Sequence, residues 1–501
     1  MTNWTGTRTL ILGAARQGIA LARWLARHGS RVTLSDTRSL EALSSARASL
    51  GDVDVKWAAG GHPLELLDEC DVLCLSGGVP LTLPIVQEAM KRGIPLTNDT
   101  QIFMEVVPCK TIGITGSAGK TTTTTLVGEM AKLAYKDASV FHPSVFIGGN
   151  LGDPLINYVD DIKAEDLAIL EISSFQLDQM TISPNVAAIL NITPNHLDRH
   201  GTMEAYTAAK ARIIEFQTGK DTAILGRDDN GAWSLRNIVK GKLFTFSLNE
   251  LGEGLDGTYL HDGLLNLREG NAYLPLMLRE KVQLRGNHNV SNVLAAFAIG
   301  HAAGFTLDAM LEAAEEFRGV EHRLELVREL RGVRWYNDSI ATAPERTIAD
   351  IHSFDEPIVL LLGGRDKDLP WEELAELVHK RVDHVVLFGE AAEKIESALR
   401  SPSVRLGSGV TSTARNVVET QDAGNPSEIA NRKSKIATFP KGRNHLTVER
   451  VPHLKEAVLK AAEVAEAGDV VLLSPGGTSF DEFKDFAERG ESFRKWVQEL
   501  S

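Results

Sequence analysis

Nine short, uninterrupted apolar runs constrain this chain more than any other feature. They are "TLILG", "VTLSD", "VLCLSGG", "TIGITG", "LAILEIS", "AAILNIT", "PIVLLLGG", "HVVLFG" and "DVVLLSPGG", and most end in glycine or a turn. A strand with one wet face alternates apolar and polar residues, whereas a strand buried on both faces needs continuous Val, Ile and Leu. The runs, separated by Ala/Leu-rich amphipathic stretches, therefore predict α/β architecture with parallel sheets covered by helices. In such sheets ligands sit beyond the C-terminal strand ends, where this chain places its Gly, Ser and Asp residues.

The 501 residues leave room for several cores. Three blocks are expected: a dinucleotide-like unit over 1–107, a phosphate-loop unit with a central parallel sheet over 108–319, and a Rossmann-like unit over 320–501. A polar stretch with scattered Gly and Pro at 408–443 reads as an inserted surface segment without an assigned role.

Charge narrows the ligand classes. Lys plus Arg number 53 against 67 Asp plus Glu, a formal charge of −14. Such a surface argues against nucleic acid or anionic membrane as partner, so an anionic ligand must be held by glycine turns, helix N-termini and single cations. Three cysteines, Cys70, Cys74 and Cys109, without a second closely spaced pair, are read as buried free thiols of a reducing compartment. The opening "MTNWTGTRTLILGAARQG" shows no signal-peptide pattern, and no window approaches the ~18 apolar residues of a membrane span. A cytoplasmic protein is expected.

The strongest chemical motif is "TIGITGSAGKTTTTTLVGEM". Strand, glycine turn and helix follow in order, so backbone N–H groups of Gly116, Ser117, Ala118 and Gly119, with the helix N-terminus, can wrap nucleotide phosphates. Lys120 would reach the outer phosphates and the Thr121 hydroxyl would ligate Mg²⁺. The strict Walker A spacing asks for glycine where Ile114 stands. Thr122 is expected to hydrogen-bond locally, and Thr123 to Thr125 to pack in the first helical turns.

Other residues gather around this motif in sequence order. Glu171 ends an apolar strand and suits a Mg²⁺ that bridges phosphates. His196, Asp198 and His200 share a polar turn; His196 is read as facing phosphates or a second metal, and a zinc site lacks the usual acidic partner. Lys210 lies on an apolar helix face, where a snorkelling side chain is the simplest reading. Asn289 and Asn292 share a helical face and can grip a base or bridge domains. In the third block, Arg323 and Asp338 suit a ribose or phosphates, Lys367 follows a strand, and Ser479 near a helix start suits a carboxylate. Phe480, Phe483 and Phe486 read as a core stripe. The first block begins with a degenerate dinucleotide turn: Ala15 replaces the second glycine of GxGxxG, and Asp36 ends the next strand.

Taken in order, "TGSAGKTT", "LEISSFQLD", "NITPNHLDRHG", "YTAAKARI", "GNHNVSN", "EHRLE" and "NDSIAT" resemble the Mur ligase family over nearly the whole chain. The resemblance implies an ATP-dependent amide ligation through an acyl phosphate, with UDP-N-acetylmuramoyl-L-alanine and glutamate as substrates and a monomeric enzyme. It implies that Lys120 and Thr121 hold ATP phosphate and Mg²⁺, with Glu171 as companion ligand. His196 and a carbamylated Lys210 would support a second Mg²⁺, which replaces the snorkelling reading. Asn289, Asn292, Arg323 and Asp338 would surround the adenine nucleotide, and Asn150 the reacting substrate. Thr342, Lys367, Ser479 and Phe486 would bind glutamate; Ala15, Arg16, Gln17, Asp36, Thr37 and Arg38 would hold the uridine nucleotide. Ile340 stands where the commoner form of its motif carries lysine. An L-alanine-adding sister ligase, folylpolyglutamate synthase, an ATP-switched binding protein and a dehydrogenase are the competing readings. "DTR" after the second strand and "SSFQLD" favour glutamate addition.

Overall fold

The computed structural model describes residues 3–136, 143–150, 152–195, 197–367, 369–400 and 446–501. His196 and the 408–443 segment lie outside the described residues. All nine apolar runs are strands, and they form the centres of three sheets.

The first sheet has the order β3-β2-β1-β4-β5. Its strands are β1 (Arg8–Leu12), β2 (Arg31–Asp36), β3 (Lys56–Ala59), β4 (Val72–Leu75) and β5 (Leu96–Thr97), all parallel. The central sheet contains β6 (Lys110–Thr115), β7 (Val145–Gly149), β8 (Leu167–Glu171), β9 (Val186–Ile189), β10 (Thr222–Gly226), β11 (Lys242–Ser247), β12 (Gly257–His261), β13 (Leu264–Glu269) and β14 (Ala272–Leu278). Their order is β14-β13-β12-β11-β10-β9-β6-β8-β7. It is parallel from β7 to β12 and then turns antiparallel through β13 and β14. That antiparallel extension is a correction to the parallel reading. β14 leaves Tyr273, Leu274 and Leu278 exposed, so it lacks the two-sided apolar pattern of a central strand.

The third sheet is built from β15 (Glu325–Leu330), β16 (Val333–Asn337), β17 (Ile358–Gly363), β18 (His384–Phe388), β19 (Thr447–Arg450) and β20 (Val470–Gly476). They are ordered β15-β16-β20-β17-β18-β19, with only β15 antiparallel to its neighbour. Ile358, Leu360, Leu362, Val470 and Leu472 pack on one face of this sheet; Val359, Leu361, Val471 and Leu473 pack on the other. Alternate residues of a continuous apolar run thus serve two cores.

The chain divides into two compact units, residues 1–317 and 318–501. The first holds two of the sheets because one apolar core runs between them, from Ile11, Trp24 and Ile102 to Leu155, Leu170 and Ile189. Polar bonds reinforce it: Arg23 donates to Asn157 at 3.0 Å, Trp24 to Asp160 at 3.0 Å, and Asn98 to the Gln176 carbonyl at 2.8 Å. Cys70, Cys74 and Cys109 are buried free thiols, as expected. Among the described residues no helix is long and apolar enough to cross a membrane.

Candidate active site

Residues Lys120–Lys136 form a helix directly after β6, so the glycine turn sits between a buried strand and a helix N-terminus. The five threonines are therefore helical despite their β-branching. Tertiary burial of Thr122, Thr123 and Thr124 outweighs the modest propensity penalty. Gly119 has φ +81°, and a Cβ there would lie 2.2 Å from Asn292 Oδ1. Asn292 reaches this point because its helix, Asn287–Ala303, packs along Lys120–Lys136. Asn292 donates to Asn289 Oδ1 at 3.1 Å, and Asn289 donates to the Arg285 carbonyl at 2.8 Å. Of the two asparagines expected near the nucleotide, Asn292 thus stands at the turn itself and Asn289 is bonded to it.

The turn is also gripped from β9. Ala118 N–H donates to Asn191 Oδ1 at 2.8 Å, and Asn191 Nδ2 donates to the Ala118 carbonyl at 3.1 Å. Ser117 Oγ donates to the Thr193 carbonyl at 2.9 Å and lies 3.1 Å from Tyr206 Oη. Asn191, Thr193 and Tyr206 were missed in the sequence. The first two sit just past a strand end, the position that marked Glu171, and that signal would have found them.

Lys120 and Lys210 converge on one acceptor: both ammonium groups donate to the Gly116 carbonyl, at 2.9 and 3.0 Å. Lys210 also reaches Thr115 Oγ1 at 3.4 Å and stands 4.8 Å from the Tyr206 ring centroid. At 1% exposure Lys210 does not snorkel, which corrects the simplest reading of its residue pattern. Burial, and secondarily the charge of Lys120, pulls its pKa down to about 7.

Beside β6, β8 places Glu171 opposite Ile114. Glu171 Oε1 accepts from Asn150 Nδ2 at 2.9 Å, whereas the buried Oε2 has no hydrogen-bond partner. A bare carboxylate oxygen next to a phosphate turn is the donor a hard divalent cation takes, so Glu171 and Thr121 fit Mg²⁺. Among the described residues no group of three or more His, Cys, Asp or Glu gathers as a metal cluster. His200 instead faces Ser174, Oγ to Nε2 at 2.9 Å, and stacks on Phe175.

The first sheet assembles its own group. Asp36 accepts from Ala14 N–H at 2.8 Å and from Arg38 Nε and Nη2 at 2.9 Å each. The Arg38 hydrogen bond holds its pKa well below the usual carboxylate range. Ala15 precedes the helix Arg16–Arg27, and Gln17 Oε1 accepts from Gly77 N–H at 3.0 Å. Arg16, Thr37 and Arg38 are exposed at the same strand ends. Gly18 is obligatory, because a Cβ would lie 1.9 Å from the Gly13 carbonyl.

In the second unit, Lys367 Nζ donates to Thr342 Oγ1 at 3.2 Å. Arg365 and Thr478 exchange backbone bonds of 2.8 Å, tying the Lys367 loop to the loop carrying buried Ser479. Phe486 begins the helix Phe486–Glu499, and its carbonyl accepts from Ser339 Oγ at 2.7 Å. The phenylalanine core stripe is overturned. Phe480 is 59% exposed and Phe486 37%, while only Phe483 packs on the core, because the segment before Phe486 is a turn and not a helix face. Asp338, past the end of β16, is buried and accepts from Leu324 N–H at 2.6 Å. Arg323 lies one residue earlier, between two residues at positive φ, His322 (+62°) and Leu324 (+43°).

Fold and site together define a class: a three-domain α/β protein built around a phosphate-loop sheet, with a buried lysine behind the loop. The chain belongs to the Mur ligase family. The Mur ligase middle domain matches residues 114–300, the Mur ligase glutamate ligase domain 322–477, and the Mur ligase MurD-like N-terminal domain 7–98. The UDP-N-acetylmuramoylalanine–D-glutamate ligase of Symbiobacterium thermophilum is 36% identical, over 99% of this chain and 98% of that protein. That of Acidobacterium capsulatum is 37% identical, over 98% and 96%. Among solved structures, MurF of Acinetobacter baumannii superposes with a TM-score of 0.53 at 16% identity, covering 99% of this chain and 94% of that one. The UDP-N-acetylmuramate–alanine ligase of Thermotoga maritima gives 0.52 at 19%, covering 98% and 99%. These two support the fold.

Proposed function

We propose that this protein is an ATP-dependent acid–amino-acid ligase that joins D-glutamate to UDP-N-acetylmuramoyl-L-alanine in peptidoglycan synthesis. Near-full-length relatives carrying that name support the reaction. The observation that carries the chemistry is the pairing of Lys210, buried without a carboxylate partner at hydrogen-bond distance among the described residues, with Glu171, whose Oε2 is bare.

In this reading residues 1–107 bind the UDP substrate, 108–319 bind ATP, and 320–501 bind the amino acid. The N–H groups of Gly116 to Thr122, with Lys120, hold the ATP phosphates. Asn289 and Asn292 of the first unit, and Arg323 and Asp338 of the second, are each assigned to binding of the adenine nucleotide. Ala15, Arg16, Gln17, Asp36, Thr37 and Arg38 hold the uridine nucleotide. Asn150 positions the reacting carboxylate, which attacks the γ-phosphorus to give an acyl phosphate and ADP. Thr342, Lys367, Ser479 and Phe486 hold glutamate so that its amine attacks the acyl carbon; phosphate departs and the amine proton is released.

Thr121 and Glu171 would hold one Mg²⁺, and His196 with Lys210 a second. The ions supply positive charge to oxygens that otherwise repel each other. Lys210 would serve as a carbamate: its neutral amine adds to CO₂, loses a proton and becomes anionic. A pKa near 7 makes that neutral form accessible. The enzyme works as a cytoplasmic monomer.

Phosphate release from ATP, measured with UDP-N-acetylmuramoyl-L-alanine and a panel of amino acids, tests this. Release should require D-glutamate. Release indifferent to the panel would sink the ligase reading, and release with UDP-N-acetylmuramate and L-alanine would move it to the sister enzyme.

A further inference from the structure

The acidic residue that ends the second strand of a dinucleotide-type sheet ordinarily accepts a hydrogen bond from a ribose hydroxyl. Asp36 ends β2, and its carboxylate is already full. Its Oδ1 accepts from the Arg38 backbone N–H and from Arg38 Nε, at 2.9 Å each. Its Oδ2 accepts from Ala14 N–H at 2.8 Å and from Arg38 Nη2 at 2.9 Å. A carboxylate offers about four lone-pair sites, and these bonds use them all. Asp36 is therefore committed to shaping the Arg38 turn, and a ribose at these strand ends needs another acceptor.

The neighbouring strand supplies one. After β3 the chain turns at Gly60, whose φ is +85°. Gly60 N–H donates to the Arg38 carbonyl at 2.9 Å and Gly61 N–H to the Asp36 carbonyl at 3.2 Å, so this loop is laced to the segment 36–38. His62 follows, half-buried, with Nδ1 2.7 Å from Ser35 Oγ. The Gly61 carbonyl can only accept, so the single Ser35 hydroxyl proton goes to it, at 3.0 Å. The proton in the Ser35–His62 bond must then come from Nδ1. In a neutral imidazole that tautomer leaves Nε2 as an acceptor. Burial lowers the pKa of His62 below the usual histidine value, against the opposing charge of Asp36, so the neutral ring prevails near neutral pH. Among the described residues Nε2 has no hydrogen-bond partner.

We infer that His62 is a specificity-determining residue for the nucleotide. Held by Ser35 in its Nδ1–H form, it accepts at Nε2 the hydrogen bond of a ribose hydroxyl that Asp36 cannot take. This role presupposes the uridine site proposed above, in which Asp36 then fixes Arg38 and His62 reads the sugar.

Two substitutions separate the ring nitrogens. His62→Asn keeps an amide N–H near the Nδ1 position, and with it the Ser35 bond, but has no atom at Nε2. His62→Gln carries an amide oxygen out to the Nε2 position. KM for UDP-N-acetylmuramoyl-L-alanine should rise about tenfold in His62→Asn, the worth of one neutral hydrogen bond, with kcat and melting temperature nearly unchanged. His62→Gln should recover part of that loss. Competition by UDP, 2′-deoxy-UDP and 3′-deoxy-UDP identifies the contact. One deoxy analogue should bind the unmutated protein about tenfold more weakly than UDP, and His62→Asn should bind UDP and that analogue alike.

A merely structural histidine would leave KM unchanged in His62→Asn and lower the melting temperature only in His62→Ala; that outcome overturns the inference. So does a His62→Asn variant that weakens UDP and both deoxy analogues by the same factor. Arg38→Ala separates the two levels. A raised KM for the UDP substrate there, beside an unaltered His62→Asn, overturns the ribose contact alone. Unchanged UDP binding in both variants overturns the uridine site together with it.

Discussion

Two turns of this molecule share one design and differ in how they treat charge. Each follows a parallel strand, bends at a glycine with positive φ (Gly13 at +93°, Gly119 at +81°) and runs into a helix. At the first, Asp36 takes two hydrogen bonds from the Arg38 side chain and others from backbone N–H groups. At the second, Lys210 is buried among neutral acceptors and Glu171 keeps an oxygen without a partner. Satisfied polar groups make a rigid receptor; uncompensated ones hold free energy that an arriving ligand releases. In the proposed function the first turn binds and the second reacts, and this difference in charge is what that reading rests on.

The sharpest way to break this contrast is Lys210→Ala. It removes the only lysine on its helix, and turnover should fall by roughly 10²–10³-fold or more, the scale of losing one preorganised charge at a reacting centre. Added short carboxylates should restore part of the activity by occupying the vacated space with an anion. Full activity in the variant would eliminate the catalytic role, and absence of rescue would leave the carbamate reading unsupported. The same lysine sets a pH dependence. Its folded pKa, about 7, lies below the unfolded value of ~10.4, so the unfolded chain binds the extra proton between these limits. Stability should therefore rise with pH across that window, and the rise should vanish in Lys210→Met when denaturant midpoints are compared.

Gly119→Ala sharpens the same contrast from the backbone side. A side chain at φ +81° is strained, and its Cβ would displace Asn292. A cost of about 1–3 kcal/mol in stability is expected, together with a raised KM for ATP. A variant with unchanged melting temperature and KM would show that the asparagine contact is dispensable.

How legible this was depended on whether a residue's meaning was local. The turn around Lys120 was readable because strand, glycine and helix are adjacent in sequence, and Glu171 because it ends an apolar run. Lys210 was misread from its residue pattern, since snorkelling and full burial give one helical spacing. Only the approach of Tyr206 and the Gly116 carbonyl decides between them. Arg489 gave no signal at all. Arg489 is fully buried, bonded to Ser339 and to the Gly477 carbonyl from 12 to 150 residues away in sequence. The antiparallel β12–β14 extension was missed because β12 and β13 bury polar residues such as Thr258 and Asn266, and β14 is mostly exposed and carries Pro275, all outside the two-sided apolar pattern.

At the first turn a smaller effect is expected. Arg38→Ala leaves Asp36 with its backbone donors, so the site should weaken without collapsing. KM for the UDP substrate should rise several-fold with kcat nearly unchanged. The ion pair also sets an acid response. Asp36 has a folded pKa below its unfolded value of ~3.9, so its stabilisation is complete above that value and is lost as pH falls. Arg38→Ala should move the acid-unfolding midpoint upward in pH. An unchanged midpoint would mean that the backbone N–H groups alone hold the carboxylate, and the contrast with Glu171 would narrow.

The smallest effect belongs to the threonine run. The hydroxyls of Thr123 and Thr124 are buried without hydrogen-bond partners, unlike the backbone around them. Neither lies at the start of the helix, where Lys120 and Thr121, the proposed phosphate and Mg²⁺ contacts, stand. Thr124→Val keeps the branched shape and removes an unsatisfied polar atom, so the change should be neutral or stabilising by up to about 1 kcal/mol. Activity should be unaltered, measured as kcat/KM for ATP beside the thermal midpoint. Destabilisation would reveal a partner for the hydroxyl, such as a water held behind the phosphate turn. Loss of activity with stability intact would extend the reactive region one helical turn beyond Thr121, and the line between packing and chemistry in this helix would have to be redrawn.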